Sequence, residues 1–86
     1  MEIEYDAGKN KRNIERRGIS FDQVLQFDFD TALEFEQVIN GEVRYFALGS
    51  IAKRLYALVY TIRGNSVRII SLRKANKREV KMYESR

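Results

Sequence analysis

The sequence predicts a single α+β domain, and three observations carry that prediction: the chain length, the order of the periodic segments and the short connections. Eighty-six residues are room for one compact domain spanning residues 1–86. The order is a short first strand, two helices, four strands and a C-terminal helix. Because the connections between the four strands are short, we expect them to form an antiparallel meander.

A polar helix is predicted to follow the short first strand. Apolar and acidic residues alternate over 3–5, Asp6 is a good N-cap, and the helix over 7–17 ends at Gly18. Only two residues of this helix are apolar, so burial of its own side chains cannot hold it in place. We expect it to pack through the stems of its side chains or to meet a partner.

The second helix is predicted by a capping box that begins at Ser20. The hydroxyl of Ser20 and the side chain of Gln23 can satisfy each other's backbone amides at a helix start. The apolar residues Phe21, Val24 and Leu25 are expected to form the buried side of this helix.

Four strands and a last helix are predicted in the rest of the chain. From Leu33 onward the side chains alternate between apolar and acidic, and Asn40-Gly41 is the strongest hairpin signal. Three further strands and a basic helix are expected over 43–48, 55–62, 66–73 and 77–84. The run over 55–60 is apolar at every position, which is typical of a central strand covered on both faces.

Composition limits the chemistry that the chain can perform. It contains neither Cys nor His, which removes disulfides, thiolate nucleophiles and the usual proton shuttle. Asp28 and Asp30 could hold a divalent ion, but no third ligand stands out and capping of backbone amides is the favoured explanation. We therefore expect no metal and no cofactor. No apolar run approaches the length of a membrane span, and the acidic start is unlike a signal peptide, so we expect a cytoplasmic protein without membrane contact.

The net charge of +4 is divided unevenly along the chain. Residues 1–43 carry five bases against ten acids, a net of −5, and residues 44–86 carry eleven bases against two acids, a net of +9. A basic half on a small domain is typical of a protein that binds phosphate groups of nucleic acid. Solubility combined with charge pairing between the two halves is the alternative explanation.

The densest basic cluster follows the last two strands and the helix after them. It comprises Arg63, Arg68, Arg73, Lys74, Lys77, Arg78 and Lys81, interleaved with Tyr60 and Tyr83. Arginine offers a planar fork to phosphate oxygens and tyrosine offers a stacking surface to a base, which suits single-stranded RNA. Alternatively, the two tyrosines fill the edge of the core and the bases form a solvated face. Strict alternation in the last strand places Arg68 and Arg73 on opposite faces of the sheet.

Two stretches resemble the BrnT toxins of type II toxin-antitoxin systems. The first covers residues 5–21, and the second covers residues 61–75 and is followed by Glu79 and Tyr83. Three motifs are specific in combination: Tyr5-Asp6 with Lys9-Asn10 and Asn13, then Gly18-Ile19-Ser20-Phe21, and Arg68-Ile69-Ile70-Ser71 with Arg73-Lys74-Ala75. The resemblance implies a RelE-like fold and a metal-independent endoribonuclease that inhibits translation by cleaving RNA. It also implies a cognate ribbon-helix-helix antitoxin that neutralises the toxin and through which alone operator DNA is contacted.

The chain departs from this family pattern at two positions. Members commonly carry histidine where this chain has Arg17 and Tyr60. A two-histidine acid/base mechanism is therefore excluded. A catalytically inactive toxin-like module, which binds the antitoxin and acts in operon autoregulation, is the alternative function, and simple nucleic-acid binding through the basic face is a third.

Cleavage of RNA without a metal requires three things of the protein. The 2′-hydroxyl must lose a proton, the phosphorane must be stabilised and the 5′-oxygen must be protonated. The candidates for binding the phosphate and its developing charge are Arg63, Arg68 and Arg73. The candidates for proton transfer are Lys74, Tyr60 and Glu79, of which the lysine or tyrosine needs a pKa lowered by neighbouring positive charge. A salt bridge to Arg73 is the alternative role of Glu79.

Further RNA contacts are expected from the first and last helices. Lys9, Asn13 and Arg17 are spaced four apart and share one stripe of the first helix, where they contact RNA or the antitoxin. The last helix contributes four more candidates to RNA binding, namely Lys77, Arg78, Lys81 and Tyr83.

Overall fold

Five strands form one mixed sheet in the computed structural model, which describes residues 1–86. The strands are β1 (Glu2–Tyr5), β2 (Leu33–Ile39), β3 (Glu42–Ile51), β4 (Arg54–Arg63) and β5 (Ser66–Lys74). Their spatial order is β1-β5-β4-β3-β2. Strands β2 to β5 are consecutive antiparallel neighbours, as predicted, but β1 pairs in parallel with β5. The sheet is therefore five-stranded and mixed, whereas the sequence predicted a four-stranded antiparallel one.

Two α-helices flank the sheet with the bounds that the sequence predicted. Helix α1 spans Ala7–Arg17 and helix α2 spans Lys77–Glu84. The carboxylate of Asp6 accepts from the backbone N–H of Lys9 at 2.9 Å. Gly18 has a left-handed conformation and closes α1 with a hydrogen bond to the carbonyl of Ile14. Neither helix is long and apolar enough to cross a membrane.

The predicted second helix is a single 3₁₀ helix over Phe21–Gln26, and its capping box between Ser20 and Gln23 is present. A 3₁₀ helix has three residues per turn, so residues three apart share a face. Phe21 and Val24 are accordingly buried, whereas Leu25 is 60% exposed. The prediction that Leu25 is buried is wrong because it assumed the wider period of an α-helix.

The hairpin between β2 and β3 has the predicted two-residue turn. Asn40 and Gly41 both have positive φ, 52° and 77°, which defines a type I′ turn. The turn pairs Ile39 with Glu42 and sets the register through to Leu33 and Leu48.

The sheet buries apolar side chains on both faces. On the first face the 3₁₀ helix and the segment after it cover residues such as Ala47, Leu58 and Leu72. On the second face α2 covers a smaller cluster around Leu48 and Ala57. Strand β4 lies in the middle of the sheet, which confirms the prediction from its uninterrupted apolar run.

A β-bulge interrupts the alternation of β5. Val59 pairs with Ser71 but Tyr60 pairs with Ile69, so Ile70 has no partner on β4. Two side chains on opposite sides of the bulge can therefore share a face of the sheet, where simple alternation would place them on opposite faces. Ile69 and Leu72 are both buried on the first face.

Candidate nucleic-acid interface

Rows of side chains cross the second face of the sheet, as the pairing register shows, and three of them lie near α2 and the bulge. Helix α2 covers the first row, which contains Leu33, Leu48, Ala57 and Arg73. The middle row contains Phe35, Phe46, Val59 and Ser71. The third row contains Thr61, Arg68 and Glu4. The middle and third rows are more open, and the side chain of Phe35 in the middle row is 42% exposed.

The bulge at Ile70 brings Arg68 and Arg73 to the same face of the sheet. Their partners on β4 are Thr61 and Ala57, which are four residues apart in an uninterrupted part of the strand. The two arginine Cα atoms are therefore about 13 Å apart along the strand direction. The prediction that these arginines lie on opposite faces is wrong, because the bulge adds one residue between them.

Arg73 is held by a carboxylate from α2. Its Nη1 and Nη2 donate to Oε1 and Oε2 of Glu79 at 2.7 and 2.8 Å. Glu79 is 8% exposed and also accepts from the backbone N–H of Asn76, in the capping box that begins α2. This two-pronged pair fixes the guanidinium plane relative to the second face. It is also the salt bridge considered as the alternative role of Glu79.

The pair makes stability depend on pH in a defined direction. The hydrogen bond from Arg73 lowers the pKa of Glu79 against the opposing effect of burial. A carboxylate whose pKa is lower in the folded state stabilises the fold above its unfolded pKa and loses that contribution as the pH falls through its folded pKa.

We therefore expect the free energy of unfolding to fall on acidification from about pH 5 towards pH 3. The fall should be shallower in Glu79→Gln, which has no proton to take up at this position. Urea unfolding at a series of pH values measures both slopes. Parallel slopes in the two proteins would contradict the assignment.

Two other arginines of the second face form longer ion pairs. Arg68 Nη1 is 3.7 Å from Glu4 Oε1, and Arg63 Nη2 is 3.6 Å from Glu42 Oε2. Glu42 also accepts from Nε of Arg44 at 2.9 Å. These pairs are partly exposed, so they contribute little to stability and leave the cations able to exchange partners. The sequence reasoning missed Arg44, which alternation along β3 could have placed on the face of Phe46.

Tyr60 lies on the first face, on the other side of the sheet from Arg68 and Arg73. It is 7% exposed, stacks on Tyr45 at a centroid distance of 5.1 Å and donates its hydroxyl to Glu34. Burial and this acceptor raise the pKa of Tyr60 above its ordinary value. The expectation of a lowered tyrosine pKa is therefore wrong, and Tyr60 fills the core, as the alternative had it.

Lys74 is also separated from the arginines of the second face. It pairs with Tyr56 and is exposed at the end of β5, on the first face. Of the six catalytic candidates, the structure brings together Arg68, Arg73 and Glu79. Arg63 lies apart from them at the end of β4, next to the turn into β5.

The RNA-binding candidates of α2 differ in their availability. Lys77 and Lys81 are exposed, as is Arg78. Tyr83 packs against the cluster under α2, and the guanidinium of Arg86 lies 3.7 Å from its ring centroid. One face of the Tyr83 ring is therefore already covered by a cation.

The carboxylates after the 3₁₀ helix hold their own loop. Asp28 accepts from the backbone N–H of Asp30 at 3.1 Å and from the hydroxyl of Thr31 at 2.8 Å. This is the capping role that was favoured over an ion site. The structure places no three His, Cys, Asp or Glu side chains where they could hold a metal ion together.

Asn13 has a structural partner on each side. Its Nδ2 donates to the carbonyl oxygens of Ile19 and Leu72, at 2.9 and 3.0 Å. Strand β1 pairs with β5 only as far as Ile69, so Leu72 belongs to a stretch without a strand neighbour on that side. Asn13 therefore attaches α1 to the free edge of β5, and the donors of its side-chain amide are already used within the protein.

We expect Asn13→Ala to lower the free energy of unfolding by about 1–3 kcal/mol, because two part-buried carbonyls lose a donor. Thermal and urea unfolding of the purified variant measure the loss. The control is Lys11→Ala on the exposed side of the same helix, which should change stability by only a few tenths of a kcal/mol. Equal stability of the two variants would contradict the structural role of Asn13.

The remaining predicted residues of α1, Lys9 and Arg17, line a shallow cleft of about 180 Å³ between the helix and β5. Arg12 and Arg16 line the same cleft and were missed by the sequence reasoning. The signal that could have found them is their helical spacing of three and seven residues from Lys9.

A known protein family matches most of the chain. Residues 5–79 match the family described as the ribonuclease toxin BrnT of type II toxin-antitoxin systems. The chain belongs to the BrnT family. Among curated proteins, none matches the chain. The family match includes Arg68, Arg73 and Glu79. Membership makes the protein a type II ribonuclease toxin with an antitoxin as its partner.

Proposed function

We propose that this BrnT protein is a metal-independent endoribonuclease that cleaves RNA on the open part of the second face and thereby inhibits translation. A cognate ribbon-helix-helix antitoxin neutralises it and connects it to operator DNA. The observation that carries the proposal is the bulge at Ile70, which places Arg68 and Arg73, both partly exposed, on the same face of the sheet. Two guanidinium groups on one surface are suited to binding a phosphodiester and the charge that develops on it.

The reaction is a transfer within the RNA strand. The 2′-oxygen attacks the adjacent phosphorus, the bond from phosphorus to the 5′-oxygen breaks, and the products carry a 2′,3′-cyclic phosphate and a 5′-hydroxyl. Arg73 binds the phosphate in an orientation set by Glu79, and Arg68 adds positive charge. The proton of the 2′-hydroxyl leaves to water and the 5′-oxygen takes one from water, because Tyr60 and Lys74 lie on the other face and both carboxylate oxygens of Glu79 are bound by Arg73.

Two further groups support RNA on this face. The rings of Phe35 and Phe46 lie side by side in the middle row, with centroids 6.4 Å apart, and offer a surface on which a base can stack. The exposed cations Lys77, Arg78 and Lys81 of α2 extend the positive surface along the backbone of the strand. Arg63 binds at the hairpin end.

Cleavage of RNA by the purified protein in the presence of a chelator tests the proposal. We expect fragments that end in a cyclic phosphate, with a rate that added magnesium does not change. Activity that appears only after magnesium is added would contradict metal independence. A protein that cleaves no RNA under any of these conditions would contradict the proposed activity.

A second candidate function is a toxin-like module that binds the antitoxin without cleaving RNA. It is favoured by one observation: Arg44, Arg63, Arg68 and Arg73 all have carboxylate partners in the free protein. This candidate predicts tight antitoxin binding and normal growth when the protein is expressed alone. Growth arrest on expression, relieved by the co-expressed antitoxin, would exclude it.

A further inference from the structure

A basic cleft lies between α1 and the part of β5 that follows the bulge. Its charged lining consists only of cations, namely Lys9, Arg12, Arg16 and Arg17. The rest of the lining is Asn13, Phe21, Ile70 and Ser71. No carboxylate lines the cleft, which distinguishes it from every group of arginines on the second face.

The four cations of this cleft have no partner within the protein. The ion pairs of the structure all involve Arg44, Arg63, Arg68 and Arg73. The pKa of Asp6 is lowered mainly by the hydrogen bond that its carboxylate accepts from the backbone N–H of Lys9, and less by the charges of Arg12 and Lys9, with which it forms no ion pair. The four cations that line the cleft are therefore free to bind an external anion.

This arrangement is unfavourable for the isolated protein. Lys9 and Arg12 are three apart and Arg12 and Arg16 are four apart, and like charges at these spacings destabilise a helix. Arg16 and Arg17 gain some stability from the negative end of the helix dipole, but Lys9 and Arg12 do not. No residue of α1 is buried, although a helix beside a sheet normally presents an apolar stripe to it. A bound anion would relieve the repulsion.

The helix is nevertheless held in a defined position. Asn13 bonds the carbonyls of Ile19 and Leu72, and the side chain of Asn10 accepts from the backbone N–H of Phe21 at 2.7 Å. The cations are thus presented on a fixed scaffold, so that little ordering is needed when a ligand binds.

We propose that this cleft binds a phosphodiester group of the RNA, outside the second face. The proposal rests on the proposed function, since it assumes that RNA is the substrate. Ser71 belongs both to the lining of the cleft and to the middle row of the second face. One RNA strand that crosses β5 at Ser71 therefore reaches both surfaces. Guanidinium groups suit the ligand because they bind phosphate oxygens in pairs.

Two double variants test the proposal without requiring cleavage. Arg12→Gln with Arg16→Gln removes two charges from the cleft, and Lys11→Gln with Lys53→Gln removes two exposed charges from outside it. Binding is measured with a 2′-O-methyl RNA, which cannot be cut. We expect the cleft variant to bind this RNA about tenfold more weakly. The slope of the logarithm of its binding constant against the logarithm of the salt concentration should become shallower by about 0.7, which is the contribution of one phosphate of a single strand. The control variant should keep most of the RNA affinity and most of the salt dependence of the wild type.

A second measurement follows the stability of the same proteins. Inorganic phosphate should raise the melting temperature of the wild type and of the control, and it should raise that of the cleft variant less. Without phosphate, the cleft variant should be at least as stable as the control, because it has lost a repulsive pair.

The outcomes separate this proposal from the proposed function. Unchanged RNA affinity and salt dependence in the cleft variant would overturn the cleft as an RNA site, whether or not the wild type cleaves. Weakened antitoxin binding with unchanged RNA affinity would overturn it too, and would assign the cleft to an acidic segment of the antitoxin. If the wild type cuts no RNA but the cleft variant still binds RNA more weakly than the wild type, the cleft is supported as an RNA site and the proposed function fails.

Discussion

Arg73→Ala is expected to slow RNA cleavage by about a hundred- to a thousand-fold, the cost of removing one oriented donor from a developing oxyanion. Arg73 is the arginine of the second face whose guanidinium is fixed by two short hydrogen bonds, both to Glu79. Single-turnover cleavage with the chelator present measures the chemical step directly. A variant that is folded and keeps full activity would contradict the assignment of Arg73 to the phosphate.

Two further variants separate loss of the charge from loss of the fold. Arg73→Ala leaves the carboxylate of Glu79 buried without its partner, which itself destabilises the protein. Circular dichroism and a melting curve therefore accompany every rate. Glu79→Gln keeps the cation and loses the carboxylate, so it should keep substantially more activity than Arg73→Ala. Arg73→Lys keeps the charge without the fork and should lie between Arg73→Ala and the wild type.

Equal losses of activity in Arg73→Ala and Glu79→Gln would point to a different conclusion. In that case the pair would act only as a clamp between β5 and α2, and the phosphate would be bound elsewhere on the second face. Arg68→Ala then becomes the decisive comparison, because its ion pair with Glu4 is long and its loss should leave the fold intact.

Gly49→Ala is expected to lower the free energy of unfolding by about 3 kcal/mol, the upper part of the usual cost of overpacking a core. A Cβ atom at Gly49 would lie 2.5 Å from Cζ of Phe27 and 3.1 Å from the carbonyl oxygen of Asp28. The ring of Phe27 is buried and packs edge-on against Phe29 at 4.8 Å. The backbone of Asp28 is tied to β3 by a hydrogen bond to Ser50. Neither neighbour can move without breaking other contacts.

The position can be tested by shortening the side chain that meets it. Gly49→Ala combined with Phe27→Leu should recover part of the lost stability, and a double-mutant cycle in urea gives the coupling. Ser50→Ala on the next residue is the control and should be close to neutral. Stability of Gly49→Ala equal to that of the wild type would show that the segment after the 3₁₀ helix is not packed as described.

Several parts of the fold were predictable because their causes are local. Asp6 begins α1 and Gly18 ends it, through contacts within one or two turns of the helix. Asn40-Gly41 defines the hairpin between β2 and β3 through its own φ angles. The central position of β4 followed from an apolar run that only a strand covered on both faces can bury.

Other parts were not predictable because distant residues decide them. The 3₁₀ helix and the α-helix share the same capping signal at Ser20, and packing under the sheet selects the tighter one. Strand β1 is too short to show where it pairs, and its partner β5 is about sixty residues away in sequence. Asn10 and Asn13 are poor helix formers, and their position within α1 is explained only by the backbone groups that their side chains hydrogen-bond.

The sequence by itself determined the family, the order of the elements and the concentration of arginines in the second half of the chain. These follow from residue types and short spacings, which need no knowledge of what lies opposite. Only the tertiary structure decided which of those residues meet. One unpaired residue at Ile70 puts Arg68 and Arg73 on a common face, and burial removes Tyr60 from it. Register between strands is a relation between distant segments, so the candidate site exists only once the sheet is formed.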